Sequence, residues 1–113
     1  YTVYKNHKRI IDYVEDTCRT IANIMDNFID GEIYNIGGKN EWEMEIKAYS
    51  DLILKKVGIS DNIVEYRESE INTTKIKQID FSKSIRDLNH KPTIDPEEGI
   101  SKTVDWMKQY YNL

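Results

Sequence analysis

Lys5, His7, Lys8 and Arg9 crowd one short stretch of the chain, and a further arginine, Arg67, closes a separate alternating segment. Residues of this kind suit an anion. A diphosphate needs convergent donors, and an arginine held on a strand offers a fixed planar fork matched to phosphate oxygens. A basic run by itself more commonly forms a solvated patch. Strand-end side chains of α/β proteins can share one crevice, however, and this makes Arg9 and Arg67 a candidate pair for a single ligand. Other chemistries lack their residues. His7 and His90 are distant in sequence, with neither the i, i+4 histidine spacing nor the paired cysteines that gather metal donors. No Gly-x-Ser-x-Gly presents a nucleophile, and no Gly-x-Gly-x-x-Gly or P-loop cradles a phosphate. Gly37-Gly38 reads as a turn. Tyr1 and Lys5 match Tyr-x-x-x-Lys, but Tyr1-Thr2-Val3-Tyr4 has the β-branched and aromatic character of extended chain, which would not set the pair on one helix face.

The elements that must position these groups come from 113 residues, 39% hydrophobic and 32% charged, which is one folded domain's worth of chain. Sixteen basic against twenty acidic residues give a net charge of −4, which argues against nucleic acid as a general partner. No apolar run approaches the ~18 residues of a membrane span. The chain opens Tyr1-Thr2-Val3 with neither an initiator Met nor a secretory signal, and is expected to be a cytoplasmic piece of a longer protein. The lone Cys18 has no partner for an internal disulfide and fits a reducing compartment. The glycosylation pattern at Asn72-Thr73-Thr74 is read as incidental.

Lys8 to Val14 reads as a strand, followed by an amphipathic helix over Glu15 to Phe28 with Cys18, Ile21, Ala22, Met25 and Phe28 as its apolar positions. Glu32 to Ile36 then reads as a buried strand closed by Gly37-Gly38. A second helix carries Ile46, Tyr49, Leu52, Ile53 and Val57 on one face and ends at Gly58. Asn62 to Arg67 alternates as a strand, Lys75 to Ile79 is a weaker one, and Phe81 to Leu88 a short helix. The last helix is announced by Asp95-Pro96-Glu97-Glu98, with Ile100, Val104, Met107 and Tyr111 as its buried stripe, and Trp106 and Tyr110 also assigned to covering the core. These elements predict a small mixed α/β lobe with few short strands and three to four helices. Strands that read as buried on both faces want neighbours that so short a chain does not supply.

Lys8-Arg9-Ile10-Ile11-Asp12-Tyr13-Val14-Glu15-Asp16, then Gly31-Glu32-Ile33-Tyr34-Asn35-Ile36-Gly37-Gly38, resembles the carboxy-terminal part of the extended short-chain dehydrogenases, the NAD-dependent nucleotide-sugar epimerases and dehydratases. The likeness continues through Ile79-Asp80-Phe81-Ser82-Lys83, Asp87-Leu88-Asn89-His90-Lys91-Pro92 and Pro96-Glu97-Glu98-Gly99-Ile100-Ser101-Lys102-Thr103 to Trp106-Met107. It implies a substrate-binding lobe of a Rossmann-type enzyme. In this family the arginine ahead of Tyr-Val-x-Asp contacts the ligand's diphosphate, which implies that role for Arg9. A second arginine does likewise and is best matched by Arg67, although the family's Arg-Pro-Gly-Asp is here Arg67-Glu68-Ser69-Glu70 and the stretch to Asp80 is longer. A ribose contact would fall to Glu70, and the segment passing the nucleotide base to Val3 and Tyr4.

The resemblance also implies what lies elsewhere. The family's dinucleotide fingerprint and its tyrosine-lysine pair belong to an amino-terminal NAD-binding Rossmann domain absent from this chain, so the chain alone is expected to bind no NAD and to catalyse nothing. Its expected partners are a nucleoside-diphosphate sugar and that amino-terminal domain, with self-association of the isolated piece through an exposed apolar face or strand edge. The alternative is a free-standing nucleotide-sugar-binding or protein-interaction module without catalysis. Asn35 is expected to tie a turn, and Asp16 to start a helix rather than serve as an acid.

Overall fold

The computed structural model describes residues 1–112, which form β1 (Thr2–Tyr4), β2 (Lys8–Arg9), α1 (Val14–Asn27), β3 (Met44–Glu45), α2 (Ile46–Val57), β4 (Glu65–Arg67), α3 (Ser82–Leu88) and α4 (Pro96–Tyr111). The amino-terminal nine residues are the spine of this mixed α/β lobe. β1 runs parallel to β4, with Val3 opposite Tyr66 and Tyr4 opposite Arg67. After a bend, β2 pairs antiparallel with β3, and Lys8 also bridges Ile76 in parallel. Val3 is buried beneath this spine with Tyr49 and Leu54 of α2, while Val104 of α4 and Ile94 extend the same small core.

Local chemistry sets the helix ends where the sequence puts them. Gly58 ends α2 in the left-handed conformation at φ 83°, and its N–H returns to the Leu54 carbonyl. Asp95 caps α4 by accepting from the Glu98 N–H at 2.9 Å, with Pro96 at the first helical position. Gly38 works differently from a flexible turn: a Cβ there would stand 2.4 Å from the Ile11 carbonyl oxygen, so a side chain is excluded by close backbone approach.

Several expected elements are shorter or turned around. The strand expected over Lys8 to Val14 ends at Arg9, and Glu32 to Ile36 joins no ladder, because no neighbouring strand among the described residues faces either segment. Lys75 to Ile79 contributes only the bridge at Ile76. α1 exposes Val14, Cys18, Ile21, Met25 and Phe28, and turns Asp16 and Thr20 inward instead. Ile53 and Val57 of α2 are partly exposed, and so are Trp106, Met107, Tyr110 and Tyr111 of α4, which do not close over the core. A radius of gyration of 16.4 Å, against about 13 Å for a compact chain of similar length, has the same cause: apolar surface lies on faces this chain leaves uncovered.

Candidate functional site

Residues 1–9 lie alongside residues 64–76 as a ribbon interrupted once. Past the β1–β4 ladder, the Lys5 N–H donates to the Arg67 carbonyl at 2.9 Å and the Asn6 N–H to the Glu68 carbonyl at 3.1 Å. The pairing resumes where the Lys8 N–H donates to the Lys75 carbonyl at 2.7 Å. Between these points the opposing strand loops out, with Asn72 in the left-handed region at φ 63°, a conformation asparagine tolerates.

Arg9 reaches across to this loop. Its Nη1 donates to the carbonyls of Lys8 at 2.6 Å and Lys75 at 3.0 Å, and its Nη2 to the carbonyl of Thr74 at 2.8 Å. These contacts take three of the five N–H donors a guanidinium carries. The Nε–H and one Nη2 hydrogen have no partner among the described residues, and no carboxylate pairs with the group. Neutral carbonyls orient the fork while leaving its charge uncompensated and two of its N–H donors unpartnered, a combination suited to phosphate oxygens.

Arg67 is differently held. Its Nε donates to Glu65 Oε1 at 2.9 Å and its Nη2 lies 2.8 Å from the same oxygen, two residues back along exposed β4. Hydrogen bonding to Glu65, then the charge of that carboxylate, pushes the guanidinium pKa further up. Beside it, Lys5 meets Glu68 at 2.5 Å, and this hydrogen bond with its charge holds the Glu68 carboxyl below the ordinary value. Both pairs sit in solvent, where such contacts exchange readily. The ribbon therefore brings Val3, Tyr4 and Arg67 together across one register and sets Arg9 beyond the bend. Val3 is buried, whereas Tyr4 is half-buried and stacks on His7. The most apolar cavity among the described residues, about 200 Å³ between α2, α4 and Ile11–Tyr13, includes none of these residues.

Residues with packing roles are also placed. Asn35 Nδ2 donates to the Asp80 carbonyl at 3.1 Å and ties the turn ahead of α3. His90 is buried between Thr20, whose Oγ1 lies 2.8 Å from Nδ1, and the Gly37 carbonyl, to which Nε2 donates at 2.8 Å. The carbonyls of Thr74 and Lys75 were invisible to residue-type reasoning, because a backbone acceptor has no sequence signature. His7, noted only as part of a basic run, is 3% exposed and accepts the Glu70 N–H.

This small mixed α/β arrangement recurs as one part of larger Rossmann-type enzymes. A UDP-glucuronic acid 4-epimerase from Bacillus cereus, solved with UDP-glucuronic acid and NAD, matches 97% of this chain over 35% of its own with a TM-score of 0.81 and 25% identity. The dTDP-glucose 4,6-dehydratases of Actinoplanes sp. and Escherichia coli are 28% and 32% identical over 94% and 92% of this chain. No family model matches the chain. The chain is similar to NAD-dependent epimerases and dehydratases and is consistent with the carboxy-terminal part of an extended short-chain dehydrogenase. It spans about a third of the length of the curated relatives it matches.

Proposed function

We propose that this chain is the nucleotide-sugar-binding portion of an NAD-dependent nucleoside-diphosphate-sugar epimerase or 4,6-dehydratase, and that Arg9 grips the diphosphate. The observation that carries this role is the guanidinium fixed by three neutral carbonyls with two of its N–H donors unpartnered. Arg67 is the second donor, its exposed contact with Glu65 yielding to phosphate, and by the family likeness the segment of Val3 and Tyr4 passes the base.

NAD and the catalytic residues belong to the remaining length of the protein. The strand-to-helix junctions of this chain, Arg9 to Val14 and Glu45 to Ile46, contain no glycine and do not fit a dinucleotide's pyrophosphate. When bound, NAD supplies oxidation at the sugar ring; this chain's share is to hold the diphosphate so that the sugar is oriented for that step. The outward apolar stripe of α1, with Ile33 at 83% exposure, suits docking against that portion. Without it, the isolated chain self-associates. No described helix is long and apolar enough to cross a membrane, and a cytoplasmic enzyme is the corresponding setting.

The test is calorimetric titration of the full-length protein with dTDP-glucose and UDP-glucuronic acid. Arg9→Ala is expected to weaken binding by about tenfold or more, the worth of a hydrogen bond to a charged group, with NAD affinity unchanged. Unaltered nucleotide-sugar affinity removes Arg9 from the site. A full-length protein with no NAD affinity favours the free-standing binding module.

A further inference from the structure

The loop whose carbonyls orient Arg9 has a second anchor. At its far end the Glu70 N–H donates to His7 Nε2 at 3.2 Å, and that N–H has no backbone acceptor among the described residues. His7 is itself fixed. Its ring stacks on Tyr4 at 5.7 Å between centroids with 27° between planes, its N–H lies 3.4 Å from the Tyr4 carbonyl, and its own carbonyl accepts from Ile46 N at 2.8 Å at the start of α2. The looped-out segment is thus fastened by His7 at Glu70 and by Lys8 and Arg9 at Thr74 and Lys75. Thr73 Oγ1 donates back to Glu70 Oε2 at 2.7 Å, which links the middle of the loop to the end that His7 holds.

We infer that His7 is a positioning residue for the anion site: by accepting the Glu70 N–H it sets the loop whose Thr74 and Lys75 carbonyls aim the Arg9 guanidinium. The neutral ring needed for this contact carries its proton on Nδ1, since Nε2 is the acceptor. A buried acceptor on a ring clamped by stacking and two backbone bonds costs little further ordering when ligand arrives, so the fork meets phosphate already aimed. The role rests on the assignment of Arg9 to the diphosphate, and deepens it from a single contact to a supported one.

The full-length protein carrying His7→Leu, His7→Gln and, separately, Arg9→Ala distinguishes the two ideas, with UDP and dTDP as the probes. His7→Leu is expected to weaken nucleotide diphosphate binding and raise KM by about fivefold, the scale of one neutral hydrogen bond, while kcat and NAD affinity stay put. His7→Gln, whose amide oxygen reaches a similar point, restores affinity to within about twofold. Hydrogen exchange at the Glu70 amide is expected to speed up in His7→Leu and recover in His7→Gln. Wild-type affinity in His7→Leu beside weakened binding in Arg9→Ala overturns the role of His7 alone. Equal losses of kcat, NAD affinity and nucleotide affinity in both His7 variants make His7 a general packing residue and also overturn it. Unchanged affinity in Arg9→Ala overturns the site itself.

Discussion

Asp16, in the first turn of α1, holds the backbone of Ile94, its Oδ2 accepting the Ile94 N–H at 2.9 Å across 78 residues of chain. The same carboxylate takes the Thr93 N–H at 2.8 Å, the Thr93 hydroxyl at 2.9 Å and the Arg19 Nη1 at 2.8 Å. One side chain thereby ties the first helix to the entry of the last. Burial by itself raises the carboxyl pKa. The backbone donors of Ile94 and Thr93, followed by the Thr93 hydroxyl and Arg19, outweigh it and hold the group below its ordinary value.

Stability follows from that sign. A carboxylate whose folded pKa is depressed adds stability above its unfolded pKa and loses it as pH falls through the folded value. Asp16→Asn keeps one acceptor oxygen where four donors share two, sets an amide NH2 against Arg19 or the Thr93 and Ile94 N–H groups, and is expected to cost about 3 kcal/mol in urea denaturation at neutral pH. The gap from wild type should narrow as pH falls below about 4, where the unfolded chain's carboxyl takes up its proton while the native one is still ionised, and close once the native carboxylate protonates in turn. Coincident unfolding curves at pH 7 would contradict this.

Gly38 faces the Ile11 carbonyl too closely for any side chain, with the Ile10 and Trp42 side chains each 3.1 Å from the position of a Cβ. Gly38→Ala should destabilise by about 2 kcal/mol, because the nearest obstacle is backbone and cannot rotate away. Gly31, at φ 78° with open space around it, offers a contrast: Ala there meets backbone strain but no clash, at about 1 kcal/mol. A thermal melt of the two variants ranks them.

Glu65 competes with phosphate for Arg67. Removing its charge by Glu65→Gln is expected to strengthen nucleotide-sugar binding about twofold, within the range of an exposed ion pair, and the gain should fade at high salt. Weaker binding in this variant would place Arg67 outside the site.

On α1, Ile21 is 52% and Met25 85% exposed. Lysine at both positions should leave the isolated chain folded, because neither side chain is buried in it, and should abolish self-association in sedimentation. In the full-length protein the same pair should lower the melting temperature. A melting temperature unchanged by both lysines would mean that nothing covers this face.

The helices were legible because their signals are local. Asp95-Pro96 and Gly58 fix ends by their own backbone chemistry, and three-to-four spacing marks α2 and α4. The same spacing found α1 but not its packing: periodicity finds an apolar face without saying who covers it, and here Asp16 and Thr20 point inward while Ile21 and Met25 point out. Glu32 to Ile36 has strand composition, yet a ladder needs a second strand that the described residues do not offer. At the site, arginine type and family likeness singled out Arg9. Its fixing by Thr74 and Lys75 carbonyls was not legible, since it depends on a parallel register between segments far apart in sequence.

The fork of Arg9 is tested most directly by Arg9→Lys in the full-length protein, titrated with dTDP-glucose and UDP-glucuronic acid at fixed salt. Lysine keeps the positive charge but cannot place two parallel donors on one phosphate. A loss of about tenfold, close to that of Arg9→Ala, is the predicted result. Wild-type affinity in Arg9→Lys would reduce the site to a diffuse basic patch and contradict the bidentate grip.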